Sequence, residues 1–198
     1  MTPPCDVLLA LHYQNDVIHP EGLIRVGIDN DQRREAVIDA ATRLLDHARA
    51  QGWKIVHVRV AFREDYADLP RNMPIMANVE KIGAVREGTW GAEFHEALAP
   101  RQSADEFVVK HTSISAFRGT PLAGLLRLFN AQRVHVAGVA THSVVESTVR
   151  DAADRGLEVT VVADACTAAQ PDTHEAAIKS MALMARITTV AALKEAAA

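Results

Sequence analysis

The chain has 198 residues, 48% of them hydrophobic, and its 21 basic against 25 acidic side chains leave a formal net charge of −4. That is enough chain to bury a full core without metal or disulfide staples, and its basic residues are too sparse to track a phosphate backbone, which excludes nucleic acid as a partner. No apolar run reaches membrane-spanning length, the opening "MTPPCDVLLALHYQND" lacks a basic leader, and two cysteines, Cys5 and Cys166, show no metal-ligand spacing, so a cytoplasmic protein with no membrane partner is expected.

The first predicted element is the strand Val7–Leu11, a continuous apolar run that stops at His12 and is followed by Gln14 and Asn15. In "DQRREAVIDAATRLLDHARAQG" the apolar residues Val37, Ala40, Ala41, Leu44, Leu45 and Ala48 form one stripe of a helix that Gly52 ends. Ile55–Val60 is the second strand, and the segment from Ala61 to about Ala92 reads as a long helix-free connection of the kind that serves as a lid or an interface. A weaker strand, Phe107–Val109, leads to Lys110, and "TPLAGLLRLFN" opens a helix with Thr120 as cap and Pro121 in its first turn. The strand Val134–Val139 precedes "SVVESTVRDAADRG", a helix ended by Gly156. Val159–Ala163, a Pro-initiated helix in "QPDTHEAAIKSMALMA", and a short strand at Ile187–Val190 complete the order.

Continuous rather than alternating apolar strands, each followed by a helix, predict an α/β fold: three α/β/α layers around an open, mostly parallel sheet of about six strands. One domain over residues 1–198 is expected, since no linker, repeat or low-complexity tract interrupts the pattern. Right-handed crossovers gather the strand C-terminal ends at one edge, where open sheets of this class bind ligands. The residues just past the strands, His12 with Gln14 and Asn15, Arg59 to Arg63, Lys110 with His111, and Ala140 to Val144, are therefore expected to share one cleft.

The stretches "LLALHYQNDVIHPEG", "VHVRVAFREDYADLPRN", "EGTWGAEFHEALAP", "VVKHTSISAFRGTPLAGLL" and "VAGVATHSVVESTVRDAADRGLEVTVVADACTA" resemble the isochorismatase-like, or cysteine, hydrolases over nearly the whole chain and in order. The resemblance implies a Rossmann-like sheet of order 3-2-1-4-5-6 and assembly into homo-oligomers, dimers or tetramers. It also implies a catalytic set of Asp after the first strand, Lys after a later strand, and Cys at a helix start beside a cis peptide. There the thiolate attacks an amide carbonyl, the Asp takes its proton, and backbone N–H groups hold the oxyanion.

Matched by position, the Asp falls on His12, the Lys on Lys110 and the Cys on Val144. "KHTSISAF" runs one residue longer than the four steps the family leaves between its Lys and the Ser-Ala-Phe, and the loop is expected to absorb the extra residue. A valine cannot be a nucleophile, so covalent cysteine catalysis is excluded. His12 and Lys110 are the expected catalytic residues, and Gln14, Ala140, His142, Ser143 and Val144 are expected to contact the ligand. Set against these roles, His12 also reads as a core histidine filling the old carboxylate site, and Lys110 as a surface lysine at a strand end. Ser143 lies one helical step, about 100°, from Val144, and with His142 lacks the acidic partner a triad needs. Cys166 reads as a small core residue, and Cys5 lies at the far edge of the sheet. Relatives that bind metal do so through an Asp-x-His with further histidines. This chain has nine histidines but no such pair at the position after the second strand, so no cofactor or metal is expected.

Two functions stay open at this stage. One is hydrolysis of a labile bond in a small, anionic metabolite without a nucleophile, His12 moving the proton and Lys110 placing the substrate. The other is an inactive protein on the same scaffold that binds a small molecule, with a third variant in which Ala61–Ala92 makes subunit contacts. Phe62, Tyr66 and Trp90 are candidates to line a pocket for a flat ring.

Overall fold

The computed structural model describes residues 5–24 and 30–196. Six parallel strands, β1 (Cys5–Leu11), β2 (Lys54–Val60), β3 (Glu106–His111), β4 (Ala131–Gly138), β5 (Glu158–Val162) and β6 (Arg186–Thr188), form one sheet of order β3-β2-β1-β4-β5-β6. The central strand β1 is covered on both faces, which is why its sequence shows no alternation: Val7, Leu8, Leu9 and Leu11 are wholly buried. Burying a side chain of this size contributes about 1.5–3 kcal/mol.

The helices are α1 (Asn15–Ile18), α2 (Asp31–Ala50), α3 (Pro74–Ile82), α4 (Leu122–Leu128), α5 (Glu146–Asp154), α6 (Pro171–Met181) and α7 (Val190–Glu195). Helix α2 starts where the Asn30 side chain accepts the Arg33 N–H, and it buries the apolar stripe read from the sequence. It packs beside α7, whereas α5 packs beside α6. The chain turns outward from β1 to β2 in one direction and to β4, β5 and β6 in the other, so right-handed crossovers put these two pairs on opposite faces. Among the described residues no helix is long and apolar enough to cross a membrane.

The expected helix-free segment from Ala61 to Ala92 holds α3 and a short 3-10 turn, Trp90–Ala92. Pro74 opens α3 at its first turn, a start signal present in the sequence. Met76 and Val79 join Val60, Phe62, Tyr66, Leu69, Ala84 and Val85 in a small core of their own, separate from the main one. Asp16 ties this unit to the sheet: its Oδ2 accepts the Val85 N–H at 2.7 Å and its Oδ1 the Leu23 N–H at 3.1 Å. Gly91 lies so close to that carboxylate that a Cβ there would fall 2.1 Å from Oδ2, so only glycine fits.

Candidate functional site

Four strand ends meet at the carboxyl edge of the sheet. β1 delivers His12, whose backbone N–H donates to Val58 O at 2.9 Å and whose φ of 55° is unusual for a residue with a side chain. β3 delivers His111, and β4 runs through Gly138 into Val139 and Ala140, which are joined by a cis peptide. At Gly138 a Cβ would meet Leu11 O at 2.3 Å, so the absence of a side chain lets β4 approach β1 at the level of the site. A turn of π-helix, Thr141–Val145, then leads into α5, and the Thr141 hydroxyl lies 2.8 Å from His174 Nδ1 on α6.

These ends floor a cavity of about 90 Å³ bordered by His12, Val60, Phe62, Val139, Ala140, His142 and Ser143. Its cover comes from the lid unit and neighbouring loops: Ile75, Met76 and Val79 of α3, with Ile24, Val85 and Ile114. Apolar groups dominate the lining, and among the described residues no Lys, Arg, Asp or Glu is part of it.

The central feature is a pair of imidazoles. His12 Nε2 and His111 Nε2 are 2.5 Å apart, and His111 Nδ1 lies 3.2 Å from the Ser115 carbonyl oxygen. Burial pushes His12 well below the ordinary histidine value of 6.5, and the neighbouring His111 adds to the effect. Burial brings His111 down to about 4, offset only in part by the Ser115 carbonyl. Both rings are therefore neutral at neutral pH, and one hydrogen is shared along the line between them.

Several expected site residues fall elsewhere. Lys110 is not in the cavity: it is half-exposed and its Nζ donates to Glu87 Oε2 at 2.7 Å on the outer side. Neighbouring residues of a strand point to opposite faces, so a buried His111 turns Lys110 outward. His111 also stands four residues ahead of Ser115, the spacing the resemblance gives the lysine, and that count was the signal available in the sequence. Gln14 does not line the cavity either. It is wholly buried, its Nε2 donating to Val60 O and Ala92 O and its Oε1 accepting the Val60 N–H, so each end of the amide is taken by backbone.

Val144 is 1% exposed and packs into the main core, while its neighbours His142 and Ser143, with Ala140, line the cavity. Of the aromatic candidates Phe62 lines it. Tyr66 instead donates to Ala84 O within the lid core, and Trp90 stands exposed, edge-on to His19. Neither thiol borders the cavity. Cys166 is buried with Sγ 3.4 Å from Val162 O, and burial pushes it up to about 12, an inert thiol at neutral pH.

Among the described residues no three His, Cys, Asp or Glu side chains gather around a common point. His19 and His95 stand near one another, but each accepts a backbone N–H at Nδ1, from Glu21 and Ala97 respectively.

Comparison with known proteins agrees with this geometry at the level of family. The isochorismatase domain model matches residues 6–192. A protein of Arabidopsis thaliana named a probable inactive nicotinamidase is 30% identical over 175 residues, covering 88% of this chain and 86% of its own. The isochorismatase family protein YecD of Escherichia coli O157:H7 is 30% identical over 164 residues, with 81% of each chain covered. Among solved structures, an isochorismatase family protein from Desulfovibrio vulgaris superposes with a TM-score of 0.86 at 29% identity, over 98% of both chains.

Proposed function

The chain belongs to the isochorismatase family, and from that premise we propose that it is a non-covalent member, one that holds a small molecule in the cavity over His12 without a nucleophile attacking it. The observation that carries this reading is the neutral His12–His111 pair where the family's carboxylate and amine are expected, with a buried valine at the position of the thiol. A covalent cycle needs a thiolate, a proton acceptor of matched strength and a cation to support both. Among the described residues none of the three lines this cavity.

The pair also suits binding better than proton transfer. A general base works best when its pKa lies near the working pH. His12 is held well below that range by burial, so it stays an acceptor of hydrogen bonds but a weak acceptor of protons. The anionic ligand expected from Lys110 loses its support, because that ammonium faces Glu87 outside the cavity. The naming of the Arabidopsis relative as a probable inactive nicotinamidase supports loss of the amidase reaction.

A second reading, hydrolysis of a labile bond by a water molecule that His12 orients, is favoured by the place of His12 in the cavity lining. One experiment separates the two. The protein is incubated with a metabolite mixture and followed by mass spectrometry, alongside His12→Ala. Co-purification of an unchanged compound that the variant loses is expected. Depletion of a compound that the variant spares would establish hydrolysis instead. Val144→Cys is expected to leave simple amides intact, because position 144 packs into the main core and does not line the cavity. Turnover by this variant would refute the non-covalent reading.

A further inference from the structure

We propose that a hydrogen-bond relay from Ser115 through His111 fixes His12 as an acceptor, so that the cavity selects a small neutral molecule that donates a hydrogen bond, a short branched alcohol being the simplest example, and that His111 sets this preference. The inference rests on the reading of the cavity as a ligand site and specifies what the site takes.

The relay follows from which atoms can donate. The Ser115 carbonyl only accepts, so His111 Nδ1, 3.2 Å away, carries the hydrogen. A neutral imidazole has one N–H, which leaves a lone pair on His111 Nε2. His12 Nε2, 2.5 Å from that lone pair, must then supply the hydrogen between them. The second nitrogen of His12, Nδ1, is left with a lone pair, and among the described residues no hydrogen-bond donor pairs with it. His12 borders the cavity, and on the proposed reading this lone pair is what the imidazole offers a ligand there.

The surroundings fix the rest of the ligand. Among the described residues no Lys or Arg lines the cavity to hold a carboxylate, and an anion would bring acceptor lone pairs against another acceptor. The Ser113 hydroxyl already donates to backbone, with Ser115 O at 3.4 Å and Arg118 O at 3.1 Å. Ser143 and the exposed His142 stand at the rim. Phe62, Val60, Val17 and Met76 form an apolar wall for a hydrocarbon body. At about 90 Å³ the space is smaller than the ~150 Å³ that accepts benzene in an engineered cavity, which points to a branched four-carbon skeleton rather than a ring.

Isobutanol and isobutyrate share that skeleton and differ in whether they donate. With ¹⁵N-labelled histidine, NMR of the unaltered protein is expected to show hydrogen on His111 Nδ1 and on His12 Nε2. Isobutanol should shift His12 Nδ1 and bind roughly tenfold or more tightly than isobutyrate, the cost of facing a buried acceptor with no donor. In His111→Lys the ammonium donates to His12 Nε2, which moves the imidazole hydrogen to Nδ1 and adds a positive charge, and the preference should reverse toward isobutyrate. Opposite tautomers in the unaltered protein, or its preference for isobutyrate, would overturn the relay while leaving the cavity a ligand site. Failure of both probes to perturb any lining residue would overturn the ligand-site reading along with it. The wild-type comparison decides the matter even if the lysine variant does not fold.

Discussion

Replacing Gln14 by leucine removes three hydrogen bonds and almost no volume. The side chain is wholly buried, and its amide serves the Val60 N–H at 2.8 Å, Val60 O at 2.9 Å and Ala92 O at 2.8 Å. Leucine fills the space but satisfies none of these backbone groups. An unpartnered buried group costs about 1–3 kcal/mol, so the substitution should destabilise the fold by about 3 kcal/mol or more. For a chain of this size that corresponds to a fall in Tm of about 6–12 °C. Urea unfolding read by circular dichroism measures the change directly, with the slope expected to stay constant and the midpoint to drop. Ligand affinity measured where the variant is still folded should be unchanged, because Gln14 is not part of the cavity lining. A leucine variant as stable as the original would mean that the amide does not clasp these strands, and a selective loss of ligand would return Gln14 to the site.

Two further expectations follow from charge. Lys110→Ala should cost less than about 1 kcal/mol, since its partner Glu87 is also substantially exposed, and should leave ligand affinity intact. His111→Ala should weaken binding about tenfold by removing the relay, and equal losses in the two variants by calorimetry would contradict the placement. Acid stability should fall in two stages. His111 has a folded value of about 4 against an ordinary 6.5, so the unfolded chain takes the proton first and stability is lost as pH falls from 6.5 through 4. For Glu106, burial works to raise the carboxyl, but Arg49, the Arg101 N–H and His57 outweigh it and hold the group at about 2, against 4.5. Its contribution is present above 4.5 and lost as pH falls toward 2. Urea midpoints against pH should flatten in the upper window for His111→Asn and in the lower for Glu106→Gln, and an unaltered profile in either would refute the assignment.

The parallel sheet was legible because β1 is buried on both faces and shows an unbroken apolar run, and β4 repeats it with only His135 breaking Val134–Gly138. Helix α2 was legible because twenty residues give its stripe several repeats. Helix α3 was not, since nine residues offer too few turns to establish a period, and Pro74 alone marked its start. His12 was found because it ends an apolar strand. Sequence alone leaves open whether Lys110 or the adjacent His111 faces inward, a choice made by the burial of Val109 and His111 on one side of the strand. The inward turn of Ser143 in place of Val144 belongs to the wide turn Thr141–Val145, which contains no glycine or proline to announce it. Asp16 was passed over because its work, holding the Val85 and Leu23 amides, depends on residues far away in the chain.

The account stands or falls on the charge state of two facing imidazoles. Titration of the His12 and His111 rings by NMR tests it most directly. His12 should stay neutral well below pH 6.5, and His111 should take its proton near 4. Either ring titrating close to 6.5, as a separate and hydrated imidazole would, contradicts the paired, buried site on which the proposed function depends.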